Sequence, residues 1–262
     1  MRLACLCPTY GRPASMVENS IACFLDQDYP NELSKLIVLD DAGLIEPQTD
    51  EGMILRPKGQ LQAIRAEGVR WGVLSTGARS PSLPAKFNAL LAIASDWADA
   101  FVVWEDDDIY LPWHLTACAK ALERGPWCHP DIVWSTYAGL QQEPAAGRFH
   151  ASLAFHRDAI WPIGGWLGVM PVNQPKRGDF DQRLIRRLGE VYGKPINPNE
   201  HNGPSYVYRW GDSGGAHGSA AMRSPDDETW YDSFAIQNPD PVGRLTPAFD
   251  AVTVEVRRKI LG

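Results

Sequence analysis

Apolar and polar positions in this chain follow two periods, and the first forty residues show both. Leu3 to Cys7 is an unbroken apolar run halted by Pro8-Thr9-Tyr10-Gly11-Arg12-Pro13, the pattern of a buried strand entering a loop. Val17, Ile21, Phe24 and Leu25 then recur at helical spacing. They predict a helix from Ser15 to about Gln27, with Ser15 as N-cap, Glu18 three residues on and Pro30 as the stop. Leu36-Ile37-Val38-Leu39 predicts a second buried strand, ending at Asp40-Asp41. Two strands joined by a helix are normally parallel.

Residues 42 to 60 read as irregular, and Gly72 to Pro84 as a polar surface loop rich in Gly, Ser and Pro. Phe87, Leu90, Leu91 and Ala94 share one helical face over 85–94, and Phe101-Val102-Val103-Trp104 predicts a strand running into Glu105-Asp106-Asp107-Asp108. Open α/β sheets bind ligands beyond the carboxyl ends of their strands, so these acids and Asp40-Asp41 are expected on one rim. Past Pro112 a helix carries Leu115, Cys118, Ala119 and Leu122, and 131–137 reads as a strand. The second half is less regular. It holds a Gly-Gly-Trp turn at 164–166, an amphipathic helix over 180–191, a linker at 193–204, the apolar Tyr206-Val207-Tyr208, a Gly-rich loop, and a polar stretch, 223–241, expected as a lid or partly disordered.

A chain of 262 residues suits one large α/β domain or two small ones. Its 32 acids against 25 Lys and Arg give a net charge of −7, without the broad basic face that nonspecific nucleic-acid binding needs. Ten tryptophans suggest aromatic surfaces of the kind that hold sugars or bases. Five cysteines, an odd number without a C-x-x-C pair, read as reduced core thiols. The first apolar run is too short for a signal segment and no other approaches a transmembrane span, so a soluble cytoplasmic protein is expected.

Four consecutive acids repel one another in a dry pocket and need water or a cation to neutralise them. Oxygen ligands suit Mg²⁺ or Mn²⁺, which keep positions open for substrate phosphates. A solvated loop leading into a helix is the alternative. The line from Phe101 to Leu115, an apolar strand, acids, Pro112 and an amphipathic helix, resembles the D-x-D-like metal-binding segment of family 2 inverting glycosyltransferases. Cys7-Pro8-Thr9-Tyr10-Gly11-Arg12-Pro13 is similar to that family's P-T-Y-N-R nucleotide loop, with Gly11 in place of Asn. The stretch from Ser20 to Pro30 resembles its first helix, and Val38-Leu39-Asp40-Asp41-Ala42-Gly43 its V-D-D-G-S strand end.

The resemblance implies a GT-A fold, an α/β Rossmann-like domain with a mixed, mainly parallel central sheet. It implies that Pro8, Thr9, Tyr10 and Arg12 line the nucleotide site, that Asp41 recognises the base and that Asp106 faces the ribose. Asp107 would bind the metal directly, with Asp108 or Glu105 assisting. Lys86 would touch the diphosphate, unless it is a solvated charge. Gly178-Asp179-Phe180-Asp181 resembles the E-D-x-D-L helix start, with Gly178 in place of Glu, and makes Asp179 the general base unless it only caps the helix. His217, in the Gly-rich loop over 211–219, would complete the metal shell or stay exposed, and Trp166 would face a sugar or the core.

These readings converge on one GT-A domain over 1–262. Residues 1–115 would bind the nucleotide sugar, 116–222 the acceptor, and 223–262 would extend it. The implied reaction is Mn²⁺- or Mg²⁺-dependent transfer of a hexose-type sugar, with inversion, from a nucleoside diphosphate donor, a UDP-sugar favoured, to a glycan, lipid or small-molecule hydroxyl. A sugar-phosphate nucleotidyltransferase is the alternative enzyme, although the first loop lacks a Gly-rich, basic grip for a triphosphate. A non-catalytic nucleotide- or carbohydrate-binding module is the other alternative.

Overall fold

The computed structural model describes residues 1–52, 60–170, 179–209 and 241–262. Strands β1 (Leu3–Thr9), β2 (Ser34–Asp40), β3 (Trp71–Ser75) and β4 (Ala100–Val103) form the parallel part of the main sheet. Two short strands come next in the chain, β5 (Ile109–Tyr110) and β6 (Trp127–Cys128), then β7 (Ile132–Ser135), β8 (Gln141–Pro144), β9 (Ala154–His156) and β10 (Tyr206–Tyr208). The main sheet runs β3-β2-β1-β4-β9-β6, its last two strands joining antiparallel, and a smaller sheet runs β5-β10-β7-β8.

Helices α1 (Ala14–Leu25), α2 (Gln60–Arg65), α3 (Leu83–Ala94), α4 (His114–Leu122), the single turns α5 (Arg157–Ile160) and α6 (Gly165–Gly168), α7 (Phe180–Tyr192) and α8 (Ala251–Leu261) complete the described elements. Strand alternation sorts the core into two layers. Leu3, Cys5, Cys7, Leu36, Val38 and Val102 pack on one face against Val17, Ile21 and Phe24 of α1 and Leu115 and Cys118 of α4. Ala4, Leu6, Ile37, Leu39, Phe101 and Val103 pack on the other against Phe87, Leu90 and Leu91 of α3 and Leu184 and Leu188 of α7. Burial on both faces explains why these strands read as continuous apolar runs. All five cysteines are buried free thiols.

Two expectations need correction, and a third, left open between two readings, is decided. Helix α1 starts one residue early, at Ala14, with Pro13 in the cap position (φ −55°) and no side-chain cap, so Ser15 lies inside the helix. Glu18 turns outward instead and accepts the Thr246 N–H at 2.6 Å. The stretch expected as a loop from Gly72 overlaps edge strand β3; a Cβ on Gly72 would sit 2.5 Å from Ile64 Cγ1, so glycine there seats α2 on the sheet. Trp166 packs in the core, its ring stacked on Phe87 at 4.5 Å, and offers no face to a ligand. No described helix is long and apolar enough to cross a membrane. Most of 223–241 and the 211–219 loop with His217 lie outside the described residues.

The strand order places β2 and β3 on one side of β1 and β4 on the other. The chain therefore changes direction across the sheet between β1 and β4, a topological switch whose carboxyl-end crevice is the natural ligand position.

Candidate active site

The acid run occupies the turn between β4 and β5, beside the loop leaving β1. Its backbone is pinned from both ends. Trp104 N donates to Leu6 O at 3.1 Å, prolonging the β1–β4 pairing, and its indole stacks on Tyr110 at 3.7 Å. Glu105 N donates to Tyr110 Oη at 2.7 Å. The four side chains project from a turn held at both ends.

Carboxylate oxygens of Glu105, Asp107 and Asp108 come within 4.8 Å of one another. Three oxygen donors at that separation suit a hard divalent cation, so the residues fit the metal that the sequence implied. Asp108 is oriented by Tyr206 Oη, which donates to Oδ2 at 2.5 Å, and by Arg209 N, which donates to Oδ1 at 3.1 Å. Glu105 Oε1 lies 3.3 Å from His150 Nδ1, and His150 Nε2 accepts the Trp166 indole N–H at 2.6 Å. Burial lowers the His150 pKa to about 4, so the ring is neutral at pH 7.

Arg12 reaches the run from the β1 loop. It donates to Asp107 Oδ2 at 2.9 Å and lies 3.6 Å from Asp106. Burial works against its charge, but the neighbouring acids outweigh it and keep the guanidinium ionised. Gly11 delivers this contact at φ 59°, a left-handed conformation that glycine and asparagine adopt more readily than other residues. Burial raises the Asp106 pKa, with the charge of Arg12 and the hydroxyl of Thr9 opposing.

The neighbouring acid pair divides its work. Asp40 accepts N–H groups from Ala42, Leu44 and Ile45 at 2.8 to 3.0 Å and the Ser75 hydroxyl at 3.2 Å, shaping the loop after β2. Asp41 accepts Lys86 Nζ at 2.5 Å and Ser80 N at 2.8 Å. Lys86 also donates to Thr9 O and is 1% exposed, neither a solvated charge nor an ammonium standing out at the rim. Burial lowers its pKa, with Asp41 opposing. Tyr10 lies under the Arg79 guanidinium, 4.7 Å from the ring centroid.

Asp179 stands at the N-cap position of α7, yet its side chain makes no cap hydrogen bond; Arg183 Nε donates to its Oδ1 at 2.8 Å. The adjacent Phe180 meets His150 edge-on at 5.8 Å, which brings the start of α7 next to the residue that contacts Glu105. The structure therefore joins Thr9, Lys86 and Asp41 in one cluster and Arg12, Asp106 and Asp107 in a second, with Asp108 beyond them. His150, Tyr206, Arg209 and Arg79 were missed. They lie far in sequence from the acids or in a loop, and no local pattern marks them.

A mixed α/β sheet with an acid turn at its switch point is the GT-A arrangement. No protein-family model and no curated protein matches the chain. Solved structures do. S. aureus TarS 1–349 in complex with UDP-GlcNAc superposes with a TM-score of 0.53 at 14% identity, covering 88% of this chain and 64% of that one. TarS 1–349 in complex with UDP gives 0.51 at 14%, covering 80% and 60%. The mannosyltransferase PcManGT from Pyrobaculum calidifontis, in complex with GDP-Man and Mn²⁺, gives 0.51 at 20%, covering 79% and 56%. This chain thus spans less than two thirds of these chains, and at such identities the likeness shows the fold.

Proposed function

We propose that this chain is a glycosyltransferase that uses a divalent metal, Mn²⁺ or Mg²⁺, to move a sugar from a nucleoside diphosphate donor to an acceptor hydroxyl, with inversion. One observation carries the reading: three carboxylates converge within 4.8 Å at the end of β4, where the sheet's connectivity switches direction. The solved structures similar in fold include one complex with UDP, one with UDP-GlcNAc, and one with GDP-Man and Mn²⁺, which supports a nucleotide-sugar donor, with UDP-sugars the first to test.

Asp107 and Asp108, with Glu105 beside them, would hold the metal, and a metal bound there would offset the charge of the departing diphosphate. Pro8, Thr9, Tyr10 and Asp41 would surround the base. Asp106, buried between Arg12 and the Thr9 hydroxyl, would accept a ribose hydroxyl. Lys86 would act through Asp41, neutralising and aiming it, because its ammonium is already engaged there. Asp179 would take the acceptor's hydroxyl proton as that oxygen attacks the anomeric carbon. Arg183 would hold this carboxylate in place. His217, outside the described residues, remains a proposed further ligand.

Calorimetric titration of UDP and GDP with Mn²⁺, and again with EDTA, tests the reading. Binding should require the ion and be largely lost in Asp107→Ala. Equal affinity in EDTA would remove the metal from the proposal.

A further inference from the structure

His150 is a buried imidazole between two partners of fixed chemistry. The Trp166 indole N–H can only donate. Its 2.6 Å contact therefore requires a lone pair on His150 Nε2 and places the ring proton on Nδ1. That N–H faces Glu105 Oε1 at 3.3 Å. The tautomer thus follows from the tryptophan's hydrogen bond.

The surroundings allow the ring little freedom. Phe87 meets it edge-on at 5.0 Å and Phe180 at 5.8 Å, while Trp166 is itself stacked on Phe87. The backbone turn that presents His150 is strained. Phe149, immediately before it, adopts φ 61°, a left-handed conformation unusual for a bulky side chain. Such conformations persist where the surroundings over-determine them, and they cluster at functional sites. Phe149 is held by the Arg148 guanidinium over its ring at 4.7 Å and by Tyr208 edge-on at 5.0 Å. Its carbonyl accepts the Ser152 hydroxyl at 2.6 Å.

We propose that His150 is a positioning residue whose Nδ1–H, set by Trp166, holds the Glu105 carboxylate beside Asp107 and Asp108 as the third side of the metal site. The inference rests on the metal reading above. Without the histidine the Glu105 carboxylate loses the N–H that fixes its direction, and the cation loses a well-placed ligand or the carboxylate that orders its water. Hydrogen bonds of this kind around a metal site typically govern affinity by about 10- to 100-fold.

Two substitutions separate positioning from packing. In His150→Asn the amide falls near the Nδ1 position and can still donate to Glu105. In His150→Gln it falls near Nε2 and can still accept from Trp166. Mn²⁺ titrations followed by the free-ion EPR signal, with thermal melts in EDTA, give two independent readouts. Expected is a split: Gln keeps the higher melting temperature but binds Mn²⁺ roughly 10-fold more weakly than wild type, whereas Asn melts lower and binds near the wild-type value. If Mn²⁺ affinity ranks with melting temperature, or both variants bind as wild type while Asp107→Asn does not, His150 only packs. No Mn²⁺ binding by the wild-type protein would instead defeat the metal reading, and this inference with it.

Discussion

Lys86 and Asp41 show how a charged pair at 1–2% exposure constrains a rim. Removing the lysine leaves a carboxylate in low dielectric with one backbone N–H for company, and breaking such a pair from one side typically costs about 3–5 kcal/mol. Lys86→Met should destabilise the protein on that scale, whereas adding Asp41→Asn should restore part of the loss, with a coupling of about 1–3 kcal/mol in urea unfolding. Additive losses would show that the pair does not act as a unit. Asp179 presents the opposite situation, a carboxylate 32% exposed and held by Arg183. Asn caps helices about as well as Asp, and here the side chain does not cap at all. Asp179→Asn should therefore keep its melting temperature and donor affinity while transfer falls by roughly 10²-fold or more. Full transfer activity in this variant would remove Asp179 as the base. Asp41 was legible because it follows an apolar strand run, whereas Lys86 and Asp179 were singled out by the family resemblance. Their partners were not legible, because contacts such as Lys86 to Asp41 span 45 residues and depend on the path of a loop.

Among the elements, legibility followed length and burial. Strands β1, β2 and β4 and helices α1, α3, α4 and α7 were readable, since apolar runs of four or five residues and one-sided helical faces have few alternative readings. The exceptions have local causes: Pro13 displaced a cap, and Gly72 concealed an edge strand. Strands β6 and β9 carry two and three residues and take their conformation from neighbours, leaving little periodicity to detect. The loop after β2 is a similar case, where Asp40 supplies the hydrogen bonds and Gly43 the fit. Gly43 has φ +70°, and an added Cβ would stand 2.6 Å from Gly77 Cα. Gly43→Ala should cost about 1–3 kcal/mol, from left-handed strain and the displaced backbone. Because this loop aims Asp41, the variant should also weaken nucleotide binding beyond the stability loss, measured by calorimetry below the variant's melting range. Unchanged affinity would show that the loop does not set the pocket.

At the scale of the whole molecule, the C-terminal segment ties the two sheets together near the acids. Gln48 exchanges hydrogen bonds with Leu245 at 3.1 and 3.2 Å, Asp250 N donates to Asn19 Oδ1 at 3.1 Å, and Arg257 pairs with Asp26. Asp250 does two jobs. Its Oδ1 caps α8 by accepting Thr253 N at 2.7 Å, and its Oδ2 receives Arg209 Nη1 at 2.8 Å. Arg209 in turn gives its backbone N–H to Asp108, so a helix cap at the chain's far end is connected to a proposed metal ligand. Asp250→Ala removes both roles and should cost about 2–4 kcal/mol, the sum of a lost cap and a nearly buried guanidinium left without its carboxylate. Asp250→Asn retains the cap and a neutral acceptor, so it should recover the capping share of about 1 kcal/mol. Both variants should weaken Mn²⁺ binding to a similar degree, because the charge opposite Arg209 is gone in each. Urea unfolding gives the first comparison and Mn²⁺ titration the second. If Asn restored metal affinity fully, the helix cap rather than the ion pair would carry the connection; if neither variant changed it, the C-terminal helix would be coupled to the fold alone.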